Sequence, residues 1–229
     1  MVNRFSQTDF AARLQNVVSE RRREAGLYRE ITEKLPLPDQ GRLLDIGTGS
    51  GLQLEAIRRA RPNMELYGLD LSRWAIRIAK ANLVGLNIRL RQGTIEQAPY
   101  RDGFFDVVTC HSSMSYWKPL APCLNEVFRI LKPGGTAVFF EPHKEVDVDR
   151  ALEAIREGLA DEGPLRRYLA VSMNKLALRR GQRVGLRLYG MDELGTIIAA
   201  THFGNSYSIE ETELLKVPIH MQITMIKAG

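Results

Sequence analysis

The stretch "LLDIGTGSGLQLEAI", residues 43–57, joins a short apolar run to a helical pattern through a glycine-rich loop. The run contains Asp45, and glycines occupy the alternate positions Gly47, Gly49 and Gly51. Because glycine lacks a Cβ, this loop can turn sharply and let a ligand approach its main chain. A parallel sheet binds its ligand at such a strand-to-helix turn, where free N–H groups attract polar atoms. The stretch therefore predicts a ligand-binding βα unit.

Around this stretch, short apolar runs alternate with longer helical patterns. The runs "RLLDIG", "ELYGLDL", "IRLRQG", "FDVVTCH" and "GTAVFFE" predict strands, and the helical patterns between them end at Pro or Gly, one of them running to Leu131. This alternation predicts a parallel sheet covered by helices on both faces. Near the end, "MDELGTIIAATHFG" predicts a helix opened by Asp192. The stretches "NSYSIEET" and "HMQITMIKAG" predict two strands that pair antiparallel, because no helix separates them.

Composition and charge exclude several classes of protein. Apolar residues make up 44% of the chain and charged residues 26%, as in an ordinary globular protein. No apolar run is long enough to span a bilayer, and the start of the sequence lacks a secretory-signal layout, so we expect a cytoplasmic protein without a membrane partner. Cys110 and Cys123 lack metal-ligand spacing, which argues against zinc. The net charge of +5 weakly favours anionic partners.

A second acidic residue ends the predicted strand that follows the glycine loop. The stretch "YGLDLS" ends the second predicted strand in Asp70, about twenty residues on, where a carboxylate can accept both hydroxyls of an adenosine ribose. A dinucleotide fingerprint would need its third glycine at the position of Leu52. The loop therefore predicts an adenosine-type cofactor other than a dinucleotide.

The stretch "DIGTGSG" resembles motif I of the class I S-adenosylmethionine-dependent methyltransferases, and "YGLDLS", "GTIEQAPYRDGFFDVVTCH" and "VFRILKPGGTAVFFE" resemble later blocks of that family in the same order. The resemblance covers residues 41–142 closely. It implies an α/β, Rossmann-like fold: a seven-stranded, mostly parallel sheet with an antiparallel last strand in a three-layer α/β/α sandwich. It also implies S-adenosylmethionine as cofactor, S-adenosylhomocysteine as product, and no metal.

The resemblance assigns roles to individual positions. The methionine end of the cofactor, its ribose, its adenine and its sulfonium would each meet a different loop. Many relatives have an acid at the position of Thr94; here Thr94 can accept one bond from the adenine, or Glu96 can substitute. The implied cofactor residues are Asp45, Gly47, Thr48, Gly49 and Gly51 in the first loop, Asp70 and Leu71 after the second strand, Thr94 and Ile95 beside the adenine, and His111 with Ser112 near the sulfonium.

The 229 residues show no linker and predict a single domain. By the family pattern it divides into an N-terminal helical leader at 1–38, the cofactor-binding core at 39–142, a helical substrate-covering insertion at 143–189, and a closing helix with the last two strands at 190–229.

Methyl transfer from a sulfonium is an in-line displacement that depends chiefly on geometry. His111, at the end of the fourth strand, is the candidate general base, although the same residue can simply pack beside the cofactor. Tyr116 is a candidate wall of the acceptor pocket and Glu141 a candidate acceptor contact. Trp117 fits the core better, and Cys123 fits a buried position on a helix.

The stretch 164–187 carries seven Arg and Lys residues and no acid. Arg166 and Arg167 are candidate contacts for an anionic group on the acceptor, since the planar guanidinium suits carboxylate and phosphate. Such charges can also form a solvated face, or bind RNA. The sequence favours methyl transfer to a small molecule by a monomer or homodimer. An RNA or protein methyltransferase and a non-catalytic S-adenosylmethionine-binding protein are the alternatives.

Overall fold

The computed structural model describes residues 19–20, 23–24, 26–145 and 186–229. Two short 3-10 helices, Ile95–Gln97 and Met114–Tyr116, follow the third and fourth strands. The helices are α1 (Leu27–Glu33), α2 (Leu52–Ala60), α3 (Arg73–Asn82), α4 (Leu120–Ile130) and α5 (Met191–Ala199). The strands are β1 (Arg42–Ile46), β2 (Glu65–Asp70), β3 (Arg89–Gln92), β4 (Phe105–His111), β5 (Leu131–Pro142), β6 (Tyr207–Leu214) and β7 (Val217–Ile226).

The seven strands form one sheet in the order β3-β2-β1-β4-β5-β7-β6. The first five strands run parallel to one another, and β7 runs antiparallel to both β5 and β6. The predicted Rossmann-like α/β fold with its antiparallel last strand is confirmed. Helices follow the first, second and fourth strands as crossover connections, as a parallel sheet requires.

Two hydrophobic clusters cover the two faces of the sheet. Successive strand residues point to opposite faces, so Leu43 joins the cluster that contains α1, α2 and α3, while Leu44 joins the cluster that contains α4 and α5. Both side chains are fully buried. The core therefore lies on both sides of the sheet, and its polar edge at the carboxyl ends of the strands is left for a site.

Two helix boundaries differ from the sequence prediction. The fourth helix ends at Ile130, and Leu131 is already extended, with φ −69° and ψ 142°. Lys132 directly precedes Pro133, and because the residue before a proline avoids the helical region, the helix ends before Lys132. Helix α5 begins at Met191, with Gly190 before it, so Asp192 lies inside the first turn rather than opening the helix. There its charge suits the positive end of the helix dipole.

A two-residue turn joins β6 and β7. Both of its residues, Leu215 and Lys216, have positive φ angles of 55° and 61°, as in the tight hairpin turns that match strand twist. The Leu215 N–H donates to Glu30 Oε2 at 2.8 Å, which ties α1 to the hairpin. Because the turn has only two residues, β7 begins at Val217, earlier than the predicted strand, which begins at His220.

Parts of the predicted leader and insertion, residues 1–18 and 146–185, lie outside the described residues. Arg166 and Arg167 fall in this range. The division of the chain into a leader, a core, an insertion and a closing unit therefore stays a prediction.

Candidate functional site

The carboxyl ends of three neighbouring strands meet at one edge of the sheet. Ile46 of β1 lies opposite Leu69 of β2 on one side and Cys110 of β4 on the other. The loops that follow these strands therefore start side by side. They contain most of the residues that the sequence assigned to a cofactor site.

The glycine loop is fixed to the neighbouring strand and packs against the loop after β4. The N–H groups of Gly47 and Thr48 donate to the Leu69 carbonyl oxygen at 2.8 and 3.2 Å. Gly47 has φ 73°, and a Cβ at this position would overlap the Ser113 side chain. Gly51 has φ 81°, and a Cβ there would overlap the side chain of Leu83, the residue directly after α3. Conformation and close packing both require glycine at these two positions.

Asp70 connects the end of β2 to the glycine loop. Its Oδ2 accepts a hydrogen bond from the Gly49 N–H at 2.9 Å, and its Oδ1 accepts one from the Ser72 N–H at 2.8 Å. Burial raises the pKa of Asp70, and these two hydrogen bonds oppose the rise. The carboxylate thus lies at the mouth of the loop, where a ribose would meet it.

Asp45 is a buried carboxylate below the glycine loop, with 3% of its surface exposed. Burial raises its pKa to about 7, and the neighbouring Asp70 charge adds to the rise. In the described part of the chain no cation lies against Asp45. A buried carboxylate is stabilised by a cationic partner, so Asp45 is a candidate contact for a positively charged group on a ligand.

The predicted adenine-side residues come to the same edge of the sheet. Leu71 directly follows Asp70 and is half-buried, and Thr94 precedes the first 3-10 helix and is half-buried too. Ile95 is 4% exposed. The Gly93 N–H donates to the Asp70 carbonyl oxygen at 2.9 Å, which holds this turn against the end of β2.

His111 ends β4, is half-buried, and lies among aromatic rings. The Tyr28 ring meets it edge-on at 6.3 Å between centroids, and the His220 ring lies 5.8 Å away. Sequence reasoning missed both neighbours. His220 lies opposite Pro142 where β7 pairs with β5. This antiparallel pairing is the feature that could have located His220, because it puts the start of β7 beside the ends of the parallel strands.

Glu141 does not lie where an acceptor could reach it. The residue is fully buried, and its Oε1 accepts hydrogen bonds from the N–H groups of Ser113 and Met114 at 2.6 and 2.7 Å. Its Oε2 accepts from the N–H and the hydroxyl of Ser115 at 3.3 and 2.9 Å. The structure thus brings Glu141 beneath the loop after β4 and near Tyr116, whose pKa is raised by burial and by the Glu141 charge. The other two predicted acceptor contacts, Arg166 and Arg167, lie outside the described residues.

Of the three remaining predicted positions, one is exposed at the surface and two are buried in the core. Tyr116 is 47% exposed, beside the same loop, and stays a candidate for the acceptor wall. Trp117 is buried and packs edge-on against Phe139 at 5.6 Å. Cys123 is buried on α4, and its Sγ donates to the Pro119 carbonyl oxygen at 3.2 Å. The core positions predicted for Trp117 and Cys123 are confirmed.

The described ranges contain no cluster of three or more His, Cys, Asp or Glu side chains arranged to hold a metal ion. None of their helices is both long enough and apolar enough to cross a membrane.

Comparisons with known proteins agree with this geometry. A family model described as a methyltransferase domain matches residues 44–139. The uncharacterized methyltransferase YdaC of Bacillus subtilis is 28% identical over 105 residues, which are 46% of this chain and 58% of that protein. The ubiquinone/menaquinone biosynthesis C-methyltransferase UbiE of Geobacter sulfurreducens is 30% identical over 138 residues, 58% of this chain and 52% of that protein.

A solved structure extends the similarity to the whole fold. The structure of a proposed S-adenosylmethionine-dependent methyltransferase from Methanococcus maripaludis covers 96% of this chain and 94% of its own, with a TM-score of 0.64 and 22% identity. At this identity the similarity concerns the fold alone. The chain spans about half the length of the curated relatives that it matches.

Proposed function

Because residues 44–139 form a methyltransferase domain of the class I type, we propose that this protein transfers a methyl group from S-adenosylmethionine to a small-molecule acceptor. One observation carries the proposal: Asp70 accepts a hydrogen bond from the Gly49 N–H at 2.9 Å, and, together with burial, its charge raises the pKa of Asp45. A polar loop and two neighbouring carboxylates suit a nucleoside with a cationic tail.

Different residues at this edge of the sheet would contact different parts of the cofactor. Asp45 would lie near its positively charged end, and Asp70 would accept the ribose hydroxyls. Leu71 would pack on the adenine, and Thr94 and Ile95 would line its edge, with Thr94 accepting from the adenine amino group. When bound, S-adenosylmethionine supplies a methyl group that is already activated by the sulfonium. The chain itself then needs to hold the acceptor in line and to exclude water.

We propose a quinone-type ring as the acceptor class. The Geobacter sulfurreducens relative is named for ubiquinone and menaquinone biosynthesis, and His111 lies against the rings of Tyr28 and His220. Aromatic side chains suit a flat ring, and a histidine near neutrality can take a proton from a ring hydroxyl. An anionic group on the acceptor, contacted from the basic stretch 164–187, is a further part of the proposal. We also propose a cytoplasmic monomer or homodimer.

The test is to incubate the purified protein with methyl-labelled S-adenosylmethionine and a fractionated cell extract. We expect label in the small-molecule fraction, and in particular in demethylmenaquinone when it is added alone in its reduced, quinol form, because only the reduced ring has a hydroxyl that can lose a proton and a carbon that can accept the methyl group. Asp70→Asn should bind the cofactor more weakly and label more slowly. Label in RNA or protein would instead support the macromolecular alternative. Tight cofactor binding with no labelled product would support a non-catalytic binding protein.

A further inference from the structure

The loop after β4, residues 112–116, is arranged around a carboxylate from the next strand. We call it the post-β4 loop. Three consecutive N–H groups, those of Ser113, Met114 and Ser115, point at the Glu141 carboxylate, and the Ser115 hydroxyl donates to it as well. Hydrogen bonds to an ionised acceptor are about twice as strong as neutral ones. This single side chain therefore fixes most of the loop.

The backbone of the post-β4 loop is bent to make these bonds. Ser112 has a φ of 53°, in the left-handed region that residues other than glycine rarely adopt. Its N–H still donates to the Phe140 carbonyl oxygen at 2.9 Å, so the turn begins directly at the end of the sheet. Successive N–H groups that converge after a left-handed residue form an anion-binding nest. Here the Glu141 carboxylate occupies the nest.

The loop contacts two other parts of the site. The Ser113 side chain fills the space where Gly47 would carry a Cβ, so the post-β4 loop packs directly against the glycine loop. On the other side, the Ser115 carbonyl oxygen accepts from the Arg187 N–H at 3.0 Å. A shift of the loop would therefore change both the glycine loop and the start of the segment that leads into α5.

We propose that Glu141 is a positioning residue for methyl transfer. By holding Ser113, Met114 and Ser115, its carboxylate sets the distance between the post-β4 loop and the glycine loop, and with it the position of Tyr116 on the acceptor side. Glu141 acts through these residues and touches neither cofactor nor acceptor, because it is fully buried and both of its carboxylate oxygens accept hydrogen bonds from the post-β4 loop. The inference rests on the proposed function for its catalytic consequence. Its structural part stands without that function.

The two carboxylate oxygens of Glu141 accept from different donors, so a substitution can remove the bonds to one oxygen and keep those to the other. In Glu141→Gln the amide oxygen can keep the bonds from Ser113 and Met114, but the amide NH₂ would then face the Ser115 N–H. Two donors cannot pair, so the variant should release Ser115 selectively. Ser115→Ala removes only the hydroxyl bond and leaves the N–H bond in place. It serves as the milder matched variant.

The first measurement is amide hydrogen exchange of residues 113–116 in the full-length protein. We expect faster exchange of Ser115 and Tyr116 in Glu141→Gln than in Ser115→Ala or the wild type. The second measurement is the rate of label transfer to the small-molecule extract, together with the Kd for S-adenosylhomocysteine by calorimetry. Because small misplacements of reacting groups can lower rates by about a hundredfold, we expect a tenfold or greater loss of rate and little change in Kd.

The exchange measurement needs no acceptor, so it separates failure of this inference from failure of the proposed function. Unchanged exchange in Glu141→Gln would overturn the positioning role whatever the activity of the wild type. A parallel loss of rate, cofactor affinity and thermal stability would also overturn it, because that pattern indicates general damage. Partial recovery of the rate in Glu141→Asp, which keeps the charge, would support it.

Discussion

At the scale of single residues, the site depends on carboxylates that the fold keeps away from water. Asp45, Asp70 and Glu141 all have raised pKa values, and burial is the main cause in each case. Hydrogen bonds from backbone N–H groups oppose the rise in the pKa values of Asp70 and Glu141. Burial brings the pKa of Asp45 to about 7. A bound cation can therefore change the charge of Asp45 near neutral pH.

Cofactor binding should depend on pH through Asp45. The folded protein holds the Asp45 proton up to about pH 7, whereas an unfolded chain loses it near pH 4. A bound cation favours the ionised carboxylate, so binding below pH 7 should expel a proton. We expect affinity for S-adenosylmethionine to rise from pH 5 to pH 7 and then level off. Calorimetry in buffers of different ionisation enthalpy measures the released proton.

Asp45→Asn is the control, and it should remove the proton release. Affinity that stays constant between pH 5 and pH 8 would contradict this assignment. The same group also affects stability. Since the folded state binds the proton more tightly, its contribution to the free energy of unfolding is greatest below pH 4. It then falls as the pH rises to 7, by roughly 4 kcal/mol in all, which is the free-energy equivalent of a pKa raised from 3.8 to about 7.

Replacing Asp70 with Ala should weaken the binding of S-adenosylhomocysteine by about 2 kcal/mol, because a charged acceptor of hydrogen bonds is lost. The Gly49 N–H would lose its partner at the same time. Asp70→Asn keeps the shape and one acceptor oxygen, so its effect should be smaller. Unchanged affinity of the Ala variant in calorimetry would exclude the ribose role.

Gly47→Ala tests the close contact between the glycine loop and the post-β4 loop. A Cβ at this position would push Ser113 away, in addition to the strain of a positive φ, which is about 1–2 kcal/mol for a non-glycine residue. Gly85 has a similar φ of 81° but open space around it. Gly85→Ala should therefore lower only stability, while Gly47→Ala should also weaken cofactor binding. Equal effects on binding, measured by calorimetry, would argue against the contact.

At the scale of elements, apolar periodicity predicted most strands and helices, because each buries one face. Strand β4 coincides with the run "FDVVTCH". The boundaries that differ depend on local backbone conformation, such as the extended Leu131 after α4. The turn between β6 and β7 was not predicted, because Leu215 and Lys216 are not turn residues by type.

Lys216→Gly should stabilise the β6–β7 hairpin. Lys216 is exposed and has φ 61°, so glycine would relieve strain of about 1 kcal/mol, less its own greater loss of chain entropy. Lys216→Ala keeps the strain and serves as the control. We expect a higher urea midpoint for the Gly variant than for the Ala variant. A lower midpoint would show that the turn is not strained at this residue.

At the scale of the whole molecule, the sequence predicted which residues meet at the candidate cofactor site but not what surrounds them. Asp45 lies near the end of β1, Gly47 follows that strand and Asp70 ends β2, so local pattern was enough to place them at one edge of the sheet. Tyr28 and His220 reach that edge only through α1 packing and the β5–β7 pairing. The role of Glu141 depends on contacts between β5 and a loop some 27 residues earlier, which no local pattern contains.

The position of β7 has a consequence for how the protein is made. This strand lies between β5 and β6 although it follows both along the chain. While the ribosome has not yet released Val217–Ile226, β6 cannot join the sheet, and β5 exposes its open edge from Thr136 to Pro142. Open strand edges pair readily with other chains. A nascent chain paused at this stage is therefore exposed to aggregation, and emergence of β7 is the event that ends the exposure.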